Sequence, residues 1–407
     1  MIYFDNSATT SIAPEVLEAM QPFLEGEFGN ASSVHTIGSR ARVALEGARE
    51  IIAQAIHAEP KEIVFTSGGT ESNNSAIKSA LFHHYIEHFS GNAWSDLHTI
   101  TTPAEHQAVL EPFEWISKLG AKVSYASVDG FGHAIPESID EQLTDNTAFV
   151  SIMMVNNETG AINPISEIAA KVKSRSKALI HSDGVQALGK IPIDVRELGV
   201  DFLSLSAHKI HGPKGIGALY IKAGTPFEQL LHGGSQERNR RGGTEAVALA
   251  VGFGEAVSFA VPEVFEADAI KGPTGLKAQN GPKGFSEHYR NLRRHLLGKL
   301  KEIPEVVLNS ASDESSVDPI VNFSFTPEVL ARLDADALII RFDMEGIAVS
   351  NGSACTSGSQ QPSHVLLAMG KSADIAMKSV RVSFSRYNTI SEIDMFIKAL
   401  RNIIPSG

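Results

Sequence analysis

The sequence predicts an α/β protein with a large domain, whose mostly parallel sheet is flanked by helices, and a smaller α+β domain. The chain has 407 residues, enough for two domains on a scale of about 150 residues each. Short apolar runs alternate with helical patterns through its first 260 residues, which is typical of a parallel sheet covered on both faces. The pattern then changes, so we expect the N-terminal segment and the large domain in residues 1–260 and the small domain in residues 261–407.

Four apolar runs predict buried strands in the large domain, at residues 63–66, 149–155, 178–181 and 202–205. Between them, residues 165–172 have the apolar spacing of an amphipathic helix. A segment rich in alanine and glycine, from about residue 245 to residue 260, predicts a helix that closes this domain.

The small domain is expected to begin with a surface loop, because residues 271–284 have no apolar period and abundant glycine and proline. A basic helix follows near residues 287–302, and apolar runs predict strands at residues 320–325 and 380–384. Between these strands, the glycine- and serine-rich residues 350–359 predict another loop.

The composition excludes several classes of function. A formal net charge of −12 leaves no basic excess to neutralise phosphates, which argues against non-specific nucleic-acid binding. One cysteine allows no intrachain disulfide and fits a reducing compartment. No apolar run approaches the ~20 residues of a membrane span, and residues 1–5 show no targeting pattern. We therefore expect a cytoplasmic protein that binds neither nucleic acid nor membrane.

Lys209 is a candidate nucleophile, because ligands of parallel sheets bind beyond the carboxyl ends of the strands and Lys209 follows the predicted strand 202–205. A lysine with a depressed pKa attacks carbonyl groups. The alternative is a solvated loop lysine. Lys214 is a second candidate, but turn residues place it farther from the strand. Ser206 and His208 beside Lys209 can donate to an anion such as phosphate.

Asp183 lies just past the predicted strand 178–181. It could cap a helix, or it could pair with a protonated pyridine nitrogen, as carboxylates do in pyridoxal phosphate enzymes. Together with a lysine at a neighbouring strand end, Asp183 predicts a pyridoxal phosphate site. The phosphate would need a cradle, and residues 65–74 run from a strand through Gly69 and Thr70 into a helix start, where backbone amides bind anions.

The single cysteine, Cys355, lies in the predicted loop among glycine, serine and threonine. A buried cysteine usually has hydrophobic neighbours, and Cys355 lacks them. A loop supplies the access and the adjustable pKa that thiolate chemistry needs. The surroundings of Cys355 therefore favour a reactive thiol over a core residue.

These residues lie within a longer series of motifs that resembles the NifS/IscS-like cysteine desulfurases, which are class V aminotransferases of the fold-type I pyridoxal phosphate enzymes. The match covers nearly the whole chain. The motifs are Tyr-Phe-Asp-Asn-Ser-Ala-Thr-Thr at residues 3–10, Gly-Asn-Ala-Ser-Ser-Val-His at 29–35, the glycine turn at 66–74, Glu-His at 105–106, Val-Asn-Asn-Glu-Thr-Gly at 155–160, residues 181–186, residues 206–215, Gly-Gly-Ser-Gln-Glu-Arg at 233–238, Gly-Ser-Ala-Cys-Thr-Ser at 352–357 and Arg-Val-Ser at 381–383.

The resemblance implies pyridoxal 5'-phosphate as the cofactor. Lys209 would join it covalently and later move protons, Asp183 would keep the ring nitrogen protonated, Gln186 would bond the ring hydroxyl oxygen, and His106 would stack on the ring. Thr244 would reach the phosphate of a neighbouring subunit, which implies a homodimer. The cofactor-binding residues implied are Gly69, Thr70, His106, Asn157, Asp183, Gln186, Ser206, His208, Lys209 and Thr244.

The resemblance also implies the reaction. Asn157 and Arg381 would hold the substrate carboxylate, and Cys355 would attack the sulfur of cofactor-bound L-cysteine. L-Alanine would leave, and the persulfide on Cys355 would pass to an iron–sulfur scaffold or another sulfur-acceptor protein. Lys209, Cys355 and His106 would be catalytic. No resident metal is expected, although the resemblance leaves open whether Cys355 also ligates a nascent cluster.

Three alternatives remain open at this stage: a selenocysteine lyase, an ordinary aminotransferase, and a noncatalytic scaffold that keeps the fold. His106 could simply be a polar residue at a helix start, and Arg381 could be structural. Two residues depart from the usual pattern of the family. Ser385 replaces a glycine near the carboxylate site, and Ala246 replaces an asparagine close to Thr244.

Overall fold

The computed structural model describes residues 1–87, 94–261, 285–351 and 361–404. The strands are β1 (Ile2–Tyr3), β2 (Ile63–Thr66), β3 (His98–Thr101), β4 (Lys122–Tyr125), β5 (Thr147–Ser151), β6 (Leu179–Asp183), β7 (Phe202–Ser206), β8 (Gly217–Ile221), β9 (Val306–Leu308), β10 (Ile320–Phe325), β11 (Ile347–Ala348) and β12 (Val380–Ser383). The helices are α1 (Pro14–Glu25), α2 (Thr36–Ala55), α3 (Gly69–Glu87), α4 (Gln107–Lys118), α5 (Pro136–Gln142), α6 (Ile165–Arg175), α7 (Val195–Leu198), α8 (Gln236–Asn239), α9 (Val247–Ala260), α10 (Phe285–Lys301), α11 (Pro327–Leu330), α12 (Ala335–Met344), α13 (His364–Ala368), α14 (Ala373–Met377) and α15 (Ile390–Ile403).

The central sheet has seven strands in the order β2-β8-β7-β6-β5-β3-β4. Every neighbouring pair from β7 through β4 is parallel, whereas β8 runs antiparallel to both β7 and β2. The mostly parallel sheet predicted from the sequence is confirmed. Because β6 and β7 are parallel neighbours, the side chains that follow them meet at one edge of the sheet.

Helices cover both faces of the central sheet, which explains why every residue of β2, β3, β7 and β8 is buried. Phe202 packs with α3 and α4 on one face. Leu203, the next residue, packs with α1, α2, α6 and α9 on the other. The helices predicted at residues 165–172 and 245–260 correspond to α6 and α9.

The predicted strand 149–155 is shorter in the structure, since β5 ends at Ser151. The amides of Ile152 and Met154 still donate to carbonyls of β6. The carbonyl of Ile152, however, accepts from Ser182 Oγ at 2.8 Å, so a side chain takes the place of a ladder amide. The chain then leaves the sheet and leads to Asn157, a predicted site residue.

The carboxyl-terminal part of the chain has its own antiparallel sheet in the order β12-β10-β9, and α10, α12 and α15 pack on it. Its core is aromatic: Phe342 and Phe396 stack with their ring centroids 5.4 Å apart. Phe4, from the start of the chain, packs edge-on against Phe396 at 5.9 Å. Next to Phe4, β1 pairs in parallel with β11. The first residues of the chain therefore belong to this second core.

The boundary predicted between residues 260 and 261 lies beside residues 262–284, which are outside the described residues and include the predicted loop 271–284. The division into two domains at that point stays a prediction. In the part of the chain that the structure describes, every helix is too short or too polar to cross a membrane.

Three consecutive residues without glycine form a left-handed turn in α8. Glu237, Arg238 and Asn239 have φ values of 48°, 56° and 60°. Each such residue costs about 1–2 kcal/mol, so the turn must be held by other contacts. The Glu237 carboxylate accepts two bonds from the buried Arg49 guanidinium, at 2.6 and 2.9 Å, and one from the amide of Phe65 at 2.9 Å.

We expect Glu237→Gln to lower the free energy of unfolding by about 3 kcal/mol, because it leaves the Arg49 charge buried without its partner. The measurement is a urea denaturation series. Glu46→Gln is the matched control, since Glu46 also contacts Arg49 at 3.1 Å but is 37% exposed, and we expect it to cost less than about 1 kcal/mol. Equal losses for the two variants would contradict the assignment of the turn to the Arg49–Glu237 pair.

Candidate active site

The site forms where β6 and β7 end beside each other in the central sheet. Asp183 is the last residue of β6. Ser206 is the last residue of β7, and a short 3₁₀ helix, Ala207–Lys209, follows it directly. This geometry brings together the aspartate, the lysine and the hydroxyl group that the sequence placed at neighbouring strand ends.

Lys209 is partly buried, and its ammonium group donates to the carbonyls of Ser7 and Ala8 at 2.5 and 2.7 Å. Burial, followed by the charge of Arg381, lowers the pKa of Lys209 to about 8, although Asp183 opposes this change. A larger fraction of the amine is therefore neutral near pH 7 than in a solvated lysine. Lys214, by contrast, is exposed.

Asp183 has two partners. Its Oδ2 accepts from Asn73 Nδ2 at 2.7 Å, and its Oδ1 accepts from the amide of Val185 at 3.0 Å. The carboxylate thus caps the turn after β6 rather than the start of a helix, which was the alternative raised by the sequence, and it is also fixed from α3. Asn73 Oδ1 is buried without a partner among the described residues. The two roles of Asp183 are compatible, because a carboxylate has about four acceptor positions.

The start of α3 lies against the end of β7. A Cβ atom on Gly69 would lie 2.7 Å from Val185 Cγ2 and 3.8 Å from Ser206 Cβ, so a larger residue there would force Val185 to move. Ser206 Oγ is buried and has no partner among the described residues. Thr70 follows Gly69 and is exposed. Backbone amides of a helix start and an unused hydroxyl group form a suitable cradle for an anion.

His208 follows Ser206 by two residues, and its Nδ1 lies 3.1 Å from Thr9 Oγ1. Burial and then the charge of Lys209 lower the pKa of His208 to about 4. The ring is therefore neutral near pH 7, and it has one N–H group to donate rather than two.

His106 is the N-cap of α4, because its Nδ1 accepts from the amide of Ala108 at 3.1 Å. His106 therefore does lie at the start of a helix, which is the structural alternative that the sequence left open. Desolvation by the surrounding protein lowers the pKa of His106. A neutral ring whose Nδ1 accepts must carry its proton on Nε2. The cap therefore fixes both the orientation and the tautomer of His106.

Glu105, before His106, is fully buried. Its Oε1 accepts from the amide of Met153 at 2.9 Å, and burial raises its pKa to about 8. Glu105 is therefore mostly protonated near pH 7, and it supports the turn that carries His106.

Gln186 is buried four residues before Lys190. Its Nε2 donates to the carbonyl of Ser7 at 2.9 Å, and its Oε1 accepts from Lys190 Nζ at 3.0 Å. Since the Ser7 carbonyl also accepts from Lys209, Gln186 and Lys209 lie on either side of one carbonyl group.

Arg381 extends from β12 towards the central sheet. Its Nη1 donates to the carbonyl of Asn157 at 3.1 Å, and its Nη2 pairs with Asp5 Oδ1 at 2.7 Å. Arg381 Nε and Asn157 Oδ1 are buried and have no partner in the described part of the chain. The guanidinium is held in place and still offers an unused donor, which is what recognition of a carboxylate requires.

Thr244 is exposed in the loop between α8 and α9. This loop is tied to the start of α3 by Arg241, whose Nε lies 2.9 Å from Glu71 Oε1. The structure therefore does not bring Thr244 into the site of its own chain, and its contact with a second subunit stays a prediction.

Cys355 lies outside the described residues, but both flanks of its segment contact the site. On one side, the amide of Arg381 donates to the carbonyl of Ser350 at 2.6 Å. On the other, Ser363 Oγ donates to the buried Glu158 carboxylate at 2.5 Å. His364 then contacts the carbonyl of Glu105 at 2.7 Å through Nε2. The segment thus leaves and re-enters the described structure at the rim of the site.

These residues fit pyridoxal phosphate. Of the eleven buried polar side-chain atoms without a partner among the described residues, four belong to residues of this site: Ser206 Oγ, Asn157 Oδ1, Asn73 Oδ1 and Arg381 Nε. Each belongs to or supports a group expected to hold the phosphate, the ring or the substrate carboxylate. Buried polar atoms are rarely left unsatisfied, so their clustering supports a polar ligand at this position. In the described residues, no cluster of three or more His, Cys, Asp or Glu side chains could hold a metal ion.

Sequence reasoning did not assign roles to Asp5, Asn73, Lys190 and His364. Asp5 and Asn73 lie within motifs that it quoted, but their partners, Arg381 and Asp183, are distant in the sequence. Nothing in the sequence indicated the contact between Lys190 and Gln186, because a lysine after a strand usually lies in solvent.

Comparisons with known proteins identify relatives that match nearly the whole chain. The model of the family described as Aminotransferase class-V matches residues 2–396. A cysteine desulfurase IscS from Dictyoglomus turgidum is 41% identical over 404 residues, covering 99% of this chain and 94% of that protein. A solved NifS-like protein has a TM-score of 0.84 and 36% identity, covering 99% and 98% of the two chains. A solved structure described as SspA in complex with cysteine has a TM-score of 0.77 and 33% identity, covering 96% and 100%.

These matches confirm the predicted fold class, enzyme class and cofactor. The relatives span almost the whole chain, so the resemblance includes the central sheet, the second core and the segment that carries Cys355. The chain therefore belongs to the aminotransferase class-V family, in its group of NifS/IscS-like, pyridoxal phosphate-dependent cysteine desulfurases.

Proposed function

We propose that this protein takes sulfur from L-cysteine, releases L-alanine and carries the sulfur as a persulfide on Cys355 for iron–sulfur cluster or thio-cofactor biosynthesis. One observation supports this most directly. Lys209, Asp183 and Arg381 converge from β7, β6 and β12, and Arg381 keeps an unused donor for a carboxylate. The family and the solved relative with bound cysteine support the choice of substrate.

When bound, pyridoxal phosphate supplies an electron sink that stabilises negative charge on the substrate carbons. Asp183 would hold the proton on the ring nitrogen, since its carboxylate is fixed by Asn73 and by the amide of Val185. Ser206, His208 and the amides at Gly69 and Thr70 would hold the phosphate. His106 would lie against the ring, with its orientation fixed by the α4 cap.

Lys209 would perform two tasks. Its amine, whose pKa is lowered to about 8, would join the cofactor and later accept and return protons at the substrate carbons. The carbonyls of Ser7 and Ala8 hold the Lys209 ammonium at a fixed position before this happens. The same amine is then placed to protonate the carbon that becomes the methyl group of alanine.

Arg381 and Asn157 would hold the substrate carboxylate. The structure provides the Arg381 guanidinium, oriented by Asp5 and by the carbonyl of Asn157. Its exposed fraction is only 4%, so the charge is poorly screened by water and attracts a carboxylate strongly.

We expect Arg381→Lys to raise the KM for L-cysteine about 10- to 100-fold, because a lysine cannot reproduce the planar fork of donors and a charged hydrogen bond contributes about 1.5–3 kcal/mol. The measurement is steady-state alanine release over a range of cysteine concentrations. Arg386→Lys, nearby but paired with Glu15 at 3.1 Å, is the control and should leave KM within about twofold. An unchanged KM for Arg381→Lys would move the carboxylate site elsewhere.

Cys355 would accept the sulfur. Its thiolate would attack the sulfur of the bound cysteine, so that an S–S bond forms while the Cβ–S bond of the substrate breaks. The electron pair of the broken bond stays with the substrate carbon and is finally taken up by a proton, which gives alanine. The flanks at Ser350 and Ser363 tie the segment of Cys355 to Arg381 and Glu158, next to the substrate.

The assembly and the acceptor follow from the same proposal. The protein would act as a homodimer, since Thr244 is exposed on its own chain and the resemblance assigns it to the phosphate site of a neighbouring subunit. An iron–sulfur scaffold or another sulfur-acceptor protein would receive the persulfide. A cytoplasmic location suits this chemistry, because a reducing compartment keeps the single thiol reduced.

The test of this function is to measure the alanine and the sulfide that the protein releases from L-cysteine in the presence of a dithiol reductant. Equal release of both products is expected, and Cys355→Ser should lower sulfide and alanine release by about 10³-fold or more. Ser353→Ala, in the same segment, is the control and should retain activity. Alanine formation that survives Cys355→Ser would indicate a lyase that removes the sulfur without a protein thiol. No alanine from cofactor-loaded wild-type protein would overturn the proposal.

A further inference from the structure

Lys190 is a cation inside the protein that the reaction above does not use. It lies at the end of the turn that follows β6, where its amide donates to the carbonyl of Ala187. The side chain is partly buried and points back along the turn, so that Nζ donates to Gln186 Oε1 at 3.0 Å. In the described part of the chain, no acidic side chain forms a salt bridge with Lys190. A buried lysine without an acid is uncommon.

The surroundings of Lys190 explain its isolation. It lines a cavity shared with Lys209, and none of the residues around this cavity is an aspartate or a glutamate. Arg386 also lines the cavity, but its charge is paired with Glu15 at 3.1 Å. The titratable and charged groups that face Lys190, from the elements packed around it, are Lys209, His208, His211, Arg386 and Tyr289.

The contact with Gln186 decides which way the Gln186 amide points. The oxygen and nitrogen of a glutamine side chain have nearly the same shape, and packing alone distinguishes them poorly. The ammonium group of lysine, however, has only donors. A charged Lys190 can therefore contact only Oε1, and the Ser7 carbonyl beside Lys209 favours the same orientation by accepting from Nε2 at 2.9 Å. The second N–H of Nε2 is then available to a ligand atom next to Lys209.

We propose that Lys190 is a positioning residue that fixes Gln186 as a hydrogen-bond donor to the ring oxygen of the cofactor. This inference rests on the assignment of the cofactor and of Gln186, and it is independent of the sulfur chemistry. A reversed amide would present Oε1 to a negatively charged ring oxygen and repel it. Lys190 thus acts through Gln186 rather than by touching the cofactor.

The charge of Lys190 acts in the same direction. Burial and then the charge of Lys209 lower the pKa of Lys190 to about 7. Repulsion between two ammonium groups is mutual, so a charged Lys190 also favours the neutral form of Lys209. Nearby cations are a known means of activating a lysine nucleophile. The donor of Gln186 and the charge of Lys190 both disfavour a proton on the nitrogen that joins Lys209 to the cofactor.

The test is a pH titration of the visible absorbance of the cofactor-loaded protein, without cysteine. We expect the midpoint to rise by about one pH unit in Lys190→Met, the size of one charged hydrogen bond. Lys190→Arg, which keeps the donors and the charge, should stay close to wild type. Lys118→Met is the control for loss of a lysine, since Lys118 is 69% exposed on α4, and it should leave the midpoint unchanged.

A double-mutant cycle separates positioning from charge alone. In a Gln186→Leu background, Lys190→Met should shift the midpoint much less than it does in the wild type. A full shift without Gln186 would overturn the proposal, and so would the absence of a shift in Lys190→Met. If Lys190→Met fails to fold, Lys190→Leu serves instead, because it also removes both the donor and the charge; a raised midpoint supports the proposal, and an unchanged midpoint overturns it. A protein that shows the expected shifts but releases no alanine would refute the desulfurase assignment and leave this inference intact.

Discussion

Replacement of Lys209 by alanine is expected to lower alanine release from L-cysteine by about 10⁴-fold or more, because one side chain both joins the cofactor and moves protons on the substrate. The measurement is single-turnover alanine formation with added pyridoxal phosphate. Lys214→Ala is the matched control: Lys214 lies five residues further along the same loop, is exposed, and should be replaceable with no loss of rate.

The absorbance of the cofactor gives a second readout for Lys209. Wild-type protein should show covalent attachment that resists gel filtration, and its rate of formation should rise with pH through about 8, since burial holds the pKa of Lys209 at that value and only the neutral amine attacks. Lys209→Ala should bind the cofactor reversibly. Covalent attachment that persists in Lys209→Ala and disappears in Lys214→Ala would show that the two lysines had been assigned the wrong way round.

Asp183→Asn is expected to lower kcat by about 10³-fold, the loss typical of removing one preorganised electrostatic contact. The neutral amide cannot hold a proton on the ring nitrogen, so the cofactor would withdraw electrons poorly. It would also place an NH₂ group against either Asn73 or the amide of Val185, both of which are donors. The measurement is kcat at saturating L-cysteine, with the bound cofactor counted by absorbance.

The control for Asp183→Asn is Asp194→Asn. Asp194 also accepts backbone amides, those of Arg196 and Glu197 at the start of α7, and the proposed reaction gives it no role. Asparagine caps a helix about as well as aspartate, so Asp194→Asn should change stability little and leave kcat unchanged. A normal kcat in Asp183→Asn would mean that the carboxylate serves only as a cap for the turn after β6.

The sequence was informative where a function depends on the ends of parallel strands. Lys209, Asp183 and Ser206 could be placed together because β6 and β7 are apolar runs followed directly by polar residues. The length of β5 was predicted less well, because the end of that strand depends on Ser182 Oγ, which belongs to a neighbouring strand. Strand β8, which runs antiparallel to β7, was not among the strands predicted from the sequence.

The remaining features depend on contacts between distant segments. Glu237 has a left-handed backbone although no glycine marks the position, and its support comes from Arg49, 188 residues away. The N-cap role of His106 was foreseen as an alternative, yet its tautomer follows only from the bond to Ala108. The isolation of Lys190 depends on which residues line its cavity, and spacing along the chain contains no information about that.

A ribosome makes the start of this chain first, yet β1 cannot pair until β11, some 345 residues later, has been made. The segment that follows β1 supplies the carbonyls of Ser7 and Ala8 to Lys209 and the carboxylate of Asp5 to Arg381. The contact between Asp5 and the carboxylate-binding Arg381 therefore forms late, although Asp5 is synthesised first. A nascent or truncated chain would present the central sheet without the site for the substrate carboxylate, so binding of the amino acid should coincide with completion of the protein.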